Sequence, residues 1–383
     1  MPDQPTSPTE ERFNHENKVG PHTRIARGPT RVWGLPSRWG RWIRRLAPIV
    51  LAPTLLGFAP HLYNNLSFLT TMVVYVVLAE GVNVLYGYTG YLPFGYVGFF
   101  GAGAYGAALS ISYWHVSGFA ALAIGGLAAA LIGLVLSPLL RLSGAYFALA
   151  TLAASQVIYY IVANEPWTYG ESGTSLPEIF NANQAYFVAL GIMTLAIAVT
   201  VFIRESHFGL SLRAIRSDPV SAAMAGINVV KARTLAWFIS AALAGLAGAI
   251  WAIMTAAFYA ESPFDLTISV YAIVFALFGG VRTVLGPVVG AVVLYTLYQY
   301  IGISNPQYFE LVYGVLIILL VLFLPGGLSS LIGHSGNRPR WLRFVTSRVN
   351  RAPELLSGTG QPIPHPRASN QDLGGRENGR DGY

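Results

Sequence analysis

The chain has 383 residues, 54% of them hydrophobic and only 11% charged, whereas soluble globular proteins carry charge on about 25% of their residues; this balance points to a membrane protein. The net charge of +7 does not mark a nucleic-acid binder, because the arginines gather at the two ends and in a few short loops, a topology bias of membrane proteins. The absence of cysteine closes disulfide and thiolate-metal chemistry.

The first 47 residues are polar, rich in Pro and Arg, and lack the apolar core of a secretory signal, so the first apolar run is expected to remain as a span. Runs long enough to cross a bilayer, which takes about 20 helical residues, occur near 46–62, 66–86, 92–112, 118–140, 144–163, 184–203, 234–258, 267–281, 284–303 and 308–328. The expected fold is therefore an all-α polytopic membrane protein with about ten transmembrane helices, flanked by disordered basic tails at 1–45 and 331–383. Those tails are too polar to offset the entropy of ordering.

Ten spans also sort the charges. Nine Lys or Arg lie in the first 47 residues and eight between 338 and 380, and the other seven are Arg141, Arg204, Arg213, Arg216, Lys231, Arg233 and Arg282. With the N-terminus cytoplasmic, all 24 fall on the cytoplasmic side, as the positive-inside rule requires. Glu165, Glu171, Glu178, Glu261, Asp265 and Glu310 fall on the other. Both termini are expected to be cytoplasmic.

In chain order, the first candidate feature is Glu80, the one carboxylate deep in a span, with Asn83 beside it. An ionisable group there costs roughly 2.5–3.5 kcal/mol unless it faces protein or water. It reads as a pathway contact or as a hydrogen-bonded packing group. Gly87, Gly90, Pro93 and Gly95 then break the helix at the start of the third span, and broken backbone at membrane depth is tolerated where it is buried in protein or lines a cavity. Tyr88, Tyr91, Pro93, Phe94, Gly95 and Tyr96 are thus the candidate substrate path, with close helix packing through small residues as the alternative. Small-residue spacings at Ala102/Gly106 and Ala241/Gly245/Ala249 read as helix-packing faces.

The longest cytoplasmic loop, 204–233, is too polar to span. Within it Asp218 is placed to cap a helix with Pro219 at its first position, and Gly226 to end it, giving a short Ala-rich helix outside the bilayer. Spacing alone allows either a docking helix or an amphipathic connector.

DPVSAAMAGI at 218–227 is similar to the cytoplasmic coupling loop of ABC importer permeases. GYTGYLPFGYVGFFGAGAY (87–105), RLSGAYFALATL (141–152), FGGVRTVLGPVVGA (278–291) and LPGGL (324–328) follow in an order that resembles the M-type permease of branched-chain amino acid uptake. The resemblance covers about residues 65–330. It implies a translocation subunit that pairs with an H-type permease, two ATP-binding cassette subunits and an extracytoplasmic solute-binding protein, in the bacterial inner membrane among lipid. It also implies that Arg213, Arg216, Asp218, Pro219, Ala222, Ala223 and Gly226 couple to the ATPase. Where the family pattern resembles G-Q-x-S-x-G-H, this chain carries Tyr91, Pro93 and Tyr96 in place of Gln, Ser and His. A branched-chain amino acid and another small amide or amphiphilic solute are both compatible with that change.

The only lysines, Lys18 and Lys231, follow no G-x-x-x-x-G pattern, so ATP and its Mg belong to partner subunits and this chain needs no cofactor or metal of its own. No H-E-x-x-H appears and the seven histidines are scattered, which argues against an enzyme. A proton-coupled secondary transporter is the alternative that broken helices and Glu80 suit, and it leaves the short helix at Asp218 without a purpose.

Overall fold

The computed structural model describes residues 38–169, 172–304 and 314–315. Contacts divide the chain into two units, Met1–Leu331 and Ile332–Tyr383, and all described residues fall in the first. The run 308–328 apart from residues 314–315, the LPGGL motif, Glu171, Glu310 and the tails 1–37 and 331–383 lie outside the described residues.

The α-helices are α1 (Arg38–Gly57), α2 (Ala59–Leu62), α3 (Leu66–Val82), α4 (Val97–Trp114), α5 (Gly118–Val135), α6 (Ala145–Asn164), α7 (Ala182–Glu205), α8 (His207–Ser217), α9 (Pro219–Met224), α10 (Val229–Thr255), α11 (Leu266–Gly279) and α12 (Gly286–Ser304). Helix α1 starts inside the stretch that composition marks as a disordered tail. Six helical segments are long and apolar enough to cross a membrane: Leu66–Gly87, Phe94–Trp114, Gly118–Val135, Ala145–Asn164, Ala182–Glu205 and Val229–Thr255. Ala47–His61, Leu266–Gly279 and Gly286–Ile301 are shorter. Each coincides with one of the apolar runs, but α11 rises only about 21 Å, short of a hydrocarbon core of about 30 Å. Among the described residues, length and apolarity therefore support six spans, with three shorter apolar helices at further expected runs.

The bundle is built around α10, which packs along both α4 and α5. Small residues make this approach possible. A Cβ added at Gly103 would overlap the backbone of Gly245, one at Gly245 would meet Ala129 and Gly125, and one at Gly248 would overlap Phe100. The Ala241/Gly245/Ala249 stripe does face α5, since Ala241 lies against Gly133 and Ala249 against Gly125. On α4, Gly106 of the expected Ala102/Gly106 pair lies against Ala128 and Gly125 of α5, Ala102 is buried, and Gly103 adds a close approach to Gly245 of α10. Trp237 ties α10 to α5 through an Nε1–H donated to the Gly133 carbonyl at 2.7 Å.

At one end of the bundle a two-residue strand, β1 (Thr174–Ser175), pairs antiparallel with β2 (Ala257–Phe258). Asp265 caps α11 there by accepting from the Thr267 N–H at 2.9 Å, and Glu165 accepts from the Trp167 indole at 3.2 Å. The opposite end holds the termination of α3, the loop 204–233 and the turn at Arg282.

Candidate functional site

The site begins where α3 stops. Its last turn widens into a π-helical turn at Asn83–Gly87, Gly90 takes φ +84, and the chain runs extended through Pro93 into a 3-10 turn at Phe94–Tyr96 that leads into α4. The break is thus the connection between two spans at the end of the bundle that carries the arginines. Helical hydrogen bonding runs through the π turn and Tyr88–Thr89, with the Gly90 N–H donating to the Tyr86 carbonyl at 3.0 Å, before the backbone opens. Gly95 has no room for a side chain, since a Cβ would overlap the Thr151 carbonyl, and its N–H donates to Thr151 Oγ1 at 3.3 Å.

The eight candidate path residues separate into two groups. Glu80, Asn83, Tyr88, Pro93, Gly95 and Tyr96 are buried, and none of these six lines the large cavity at this end; Tyr91 and Phe94 do. Glu80 Oε2 accepts from Thr200 Oγ1 at 2.8 Å. Asn83 accepts from the Arg282 N–H at 2.7 Å and donates to the Thr283 carbonyl at 2.9 Å, which pins the turn between α11 and α12. The Tyr96 hydroxyl donates to the Ser240 carbonyl on α10 at 2.9 Å, lying over Gly81, where any Cβ would displace it. Glu80, Asn83 and Tyr96 are thus hydrogen-bonded inside the bundle in this structure.

The cavity has a volume of about 840 Å³ and is bounded by Tyr91, Phe94, Phe147, Gly144, Arg216 and Arg233 among others. Its aromatic wall continues into the core: Tyr91 meets Phe147 edge-on at 4.9 Å between ring centroids, Phe147 meets Trp237 at 5.6 Å, and Trp237 meets Phe99 at 4.8 Å. The Arg233 guanidinium lies 4.7 Å from the Tyr91 ring centroid. Gly144, at φ +58, leads into α6 without a side-chain cap.

Loop 204–233 folds into two helices. Ser206 caps α8 by accepting from the Gly209 N–H at 3.2 Å, and α8 buries Gly209, Leu212 and Ile215. Arg213 folds back on its own chain, donating to the Gly209 carbonyl at 3.2 Å and the Arg204 carbonyl at 3.3 Å. Arg216 instead reaches out of the loop: its Nη1 donates to the Tyr86 carbonyl at 2.7 Å and to the Gly87 carbonyl, two groups at the end of α3. Burial lowers the Arg216 pKa, a tendency opposed by Tyr86 and reinforced by Arg282; arginine stays charged regardless.

The short helix α9 forms as expected, capped by Asp218, which accepts from the Val220 N–H at 2.9 Å and from the Ser221 hydroxyl at 2.5 Å. These bonds hold the Asp218 pKa below the usual carboxylate value. Pro219 lines the cavity and Ala222 is buried, while Ala223 and Gly226 are exposed. Gly226 ends the segment at φ +86 in open space.

Sequence reasoning misses three contributors. Helix α8 is signalled by Ser206 followed by Leu212 and Ile215 at helical spacing. The Ser143-Gly144 corner is signalled by its glycine. Arg233 reads in the sequence only as a topology charge, and nothing local shows that it stacks on Tyr91.

Comparison with known proteins identifies the family. The family model described as "Branched-chain amino acid transport system / permease component" matches residues 64–321. The high-affinity branched-chain amino acid transport system permease protein LivM of Salmonella typhimurium is 27% identical over 298 residues, covering 69% of this chain and 70% of that protein. The LivM protein of Escherichia coli K12 is 27% identical over 292 residues, covering 68% of each. A probable branched-chain amino acid transport permease, LivH of Methanocaldococcus jannaschii, is 24% identical over 286 residues, covering 66% of this chain and 88% of that protein. No solved structure matches the chain.

Proposed function

Since the chain belongs to the branched-chain amino acid transport permease family, we propose that it is the M-type translocation subunit of an ATP-driven importer for branched-chain amino acids or related small amphiphilic solutes. Its partners would be an H-type permease, two ATP-binding cassette subunits and an extracytoplasmic solute-binding protein, with the permease domain at 46–330 in the bacterial inner membrane and both termini cytoplasmic.

The observation that carries this reading is the construction of loop 204–233. Helix α9 offers an exposed apolar tip, with Val220 65% and Met224 85% exposed, while the preceding helix is tied by Arg216 to the end of a span. A partner that pushes on α9 can therefore move the Tyr86–Gly87 carbonyls through one charged side chain, and the non-helical connection 90–93 follows a few residues beyond them. Arg213, Asp218, Pro219, Ala222, Ala223 and Gly226 shape and hold the docking segment in this scheme, and Arg216 transmits its movement.

One observation favours a proton-coupled transporter: the buried Glu80 Oε1 has no hydrogen-bond partner among the described residues. The discriminating experiment is uptake of radiolabelled leucine, isoleucine, valine and short amides into proteoliposomes holding this chain with or without its permease, ATPase and binding-protein partners. ATP-dependent uptake by the full assembly alone supports the importer. Uptake by this chain alone under a proton gradient overturns it.

A further inference from the structure

The cavity beside the broken connection has an unusual charge pattern. Two guanidiniums, of Arg216 and Arg233, line it together with aromatic and aliphatic walls, and among the described residues no acidic one lines it. Arg216 spends its Nη1 on backbone carbonyls. Arg233 makes a cation–π contact with Tyr91, and its buried Nε has no hydrogen-bond partner among the described residues. The same cavity is lined by the start of α6, Gly144 and Ala145, where the first N–H groups have no side-chain cap and the helix dipole favours an anion.

Around these cationic groups Phe94, Phe147, Leu149 and Leu152 supply apolar surface. A ligand matching both parts has a carboxylate at one end and a short branched hydrocarbon at the other. We infer that this cavity is a binding site for small branched-chain carboxylates at the arginine-bearing end of the bundle, where Arg233, with Arg216 and the start of α6, holds the carboxylate and the aromatic wall holds the hydrocarbon. The assignment of the hydrocarbon-bearing acid as the transported solute rests on the proposed function. With no carboxylate among the described lining residues to pair an ammonium group, the site reads the acid and not the amine.

The test is saturation-transfer NMR with the full-length chain in nanodiscs of neutral phosphatidylcholine, using leucine, 4-methylpentanoate and leucinamide as probes. Leucine and 4-methylpentanoate should bind and displace one another, and leucinamide should not. Arg233→Gln should weaken both acids at least tenfold without lowering the thermal unfolding temperature, Arg233→Lys should lose less, and Arg282→Gln, outside the cavity lining, should change neither. Equal binding of leucinamide, unchanged binding in Arg233→Gln, or no binding of either acid at millimolar concentration would overturn the site. So would its blockage by nanodiscs containing anionic phospholipid with a lipid retained on purification, which would make it a lipid headgroup site.

Uptake by the complete assembly separates this inference from the transport reading. ATP-driven leucine uptake that persists while the acids fail to bind sinks the site alone. Binding of the acids with no leucine uptake sinks the transport reading and leaves the carboxylate site standing.

Discussion

Asn83 and Thr283 are joined by a 2.9 Å hydrogen bond from the Asn83 amide to the Thr283 carbonyl, while the Asn83 oxygen accepts the neighbouring Arg282 N–H at 2.7 Å. One side chain at the end of α3 thus satisfies both a donor and an acceptor of the α11–α12 turn, where Arg282 sits at φ +78. Two short apolar helices depend on a residue remote in sequence for their orientation.

Replacing Asn83 with Ala strands both backbone groups, at a cost of roughly 2–4 kcal/mol. Thermal unfolding of the detergent-solubilised chain should shift down by several degrees. Asn83→Asp, which keeps the acceptor but not the donor, should behave as badly or worse because it buries a charge.

Arg216→Ala should cut ATP-driven uptake at least tenfold with normal membrane abundance, because α8 and α9 would still fold but lose their tie to the end of α3. Arg216→Lys should recover part of the activity, since a single ammonium can reach one carbonyl but lacks the planar fork. Full uptake by Arg216→Ala, measured in the reconstituted assembly, would rule out the tether.

Gly226 lies at φ +86 with open space around it, so substitutions there act through backbone strain rather than contact. A side chain in that region costs roughly 1–2 kcal/mol, least for Asn and most for a β-branched residue. Uptake should fall in the order Gly226→Asn, Gly226→Ala, Gly226→Val, with insertion unchanged.

The Asp218 cap has a pH signature. Its folded pKa is depressed by the Ser221 and Val220 hydrogen bonds, so its stabilisation of α9 is complete above about pH 5. It is lost as pH falls through the ordinary carboxylate value toward the depressed one. Hydrogen exchange at the Val220 and Ser221 amides should therefore lose protection on acidification in the native chain, and much less so in Asp218→Asn, which retains a capping oxygen.

Gly103→Val should abolish folding, since the added carbons meet the Gly245 backbone, which cannot step aside. Gly191→Val, at an exposed position of α7 where an added Cβ would meet nothing within 4 Å, should be tolerated. Membrane abundance of the two variants checks the contrast.

The sequence by itself determined the membrane class, the positions of the apolar helices, the capped helix at Asp218–Gly226 and the small-residue face of α10. These are set by properties carried along one segment: apolar length, a capping side chain followed by proline, a glycine that tolerates positive φ, and spacing of three or four residues. Only the tertiary structure decided that Glu80, Asn83 and Tyr96 are buried and hydrogen-bonded while Tyr91 and Phe94 line a cavity, that Gly103 lies against Gly245 of α10, and that Arg216 and Arg233 line the same cavity. Which face of a broken helix is buried depends on what packs against it, and the partners here, Thr200, Ser240 and Thr283, lie more than a hundred residues away in the chain.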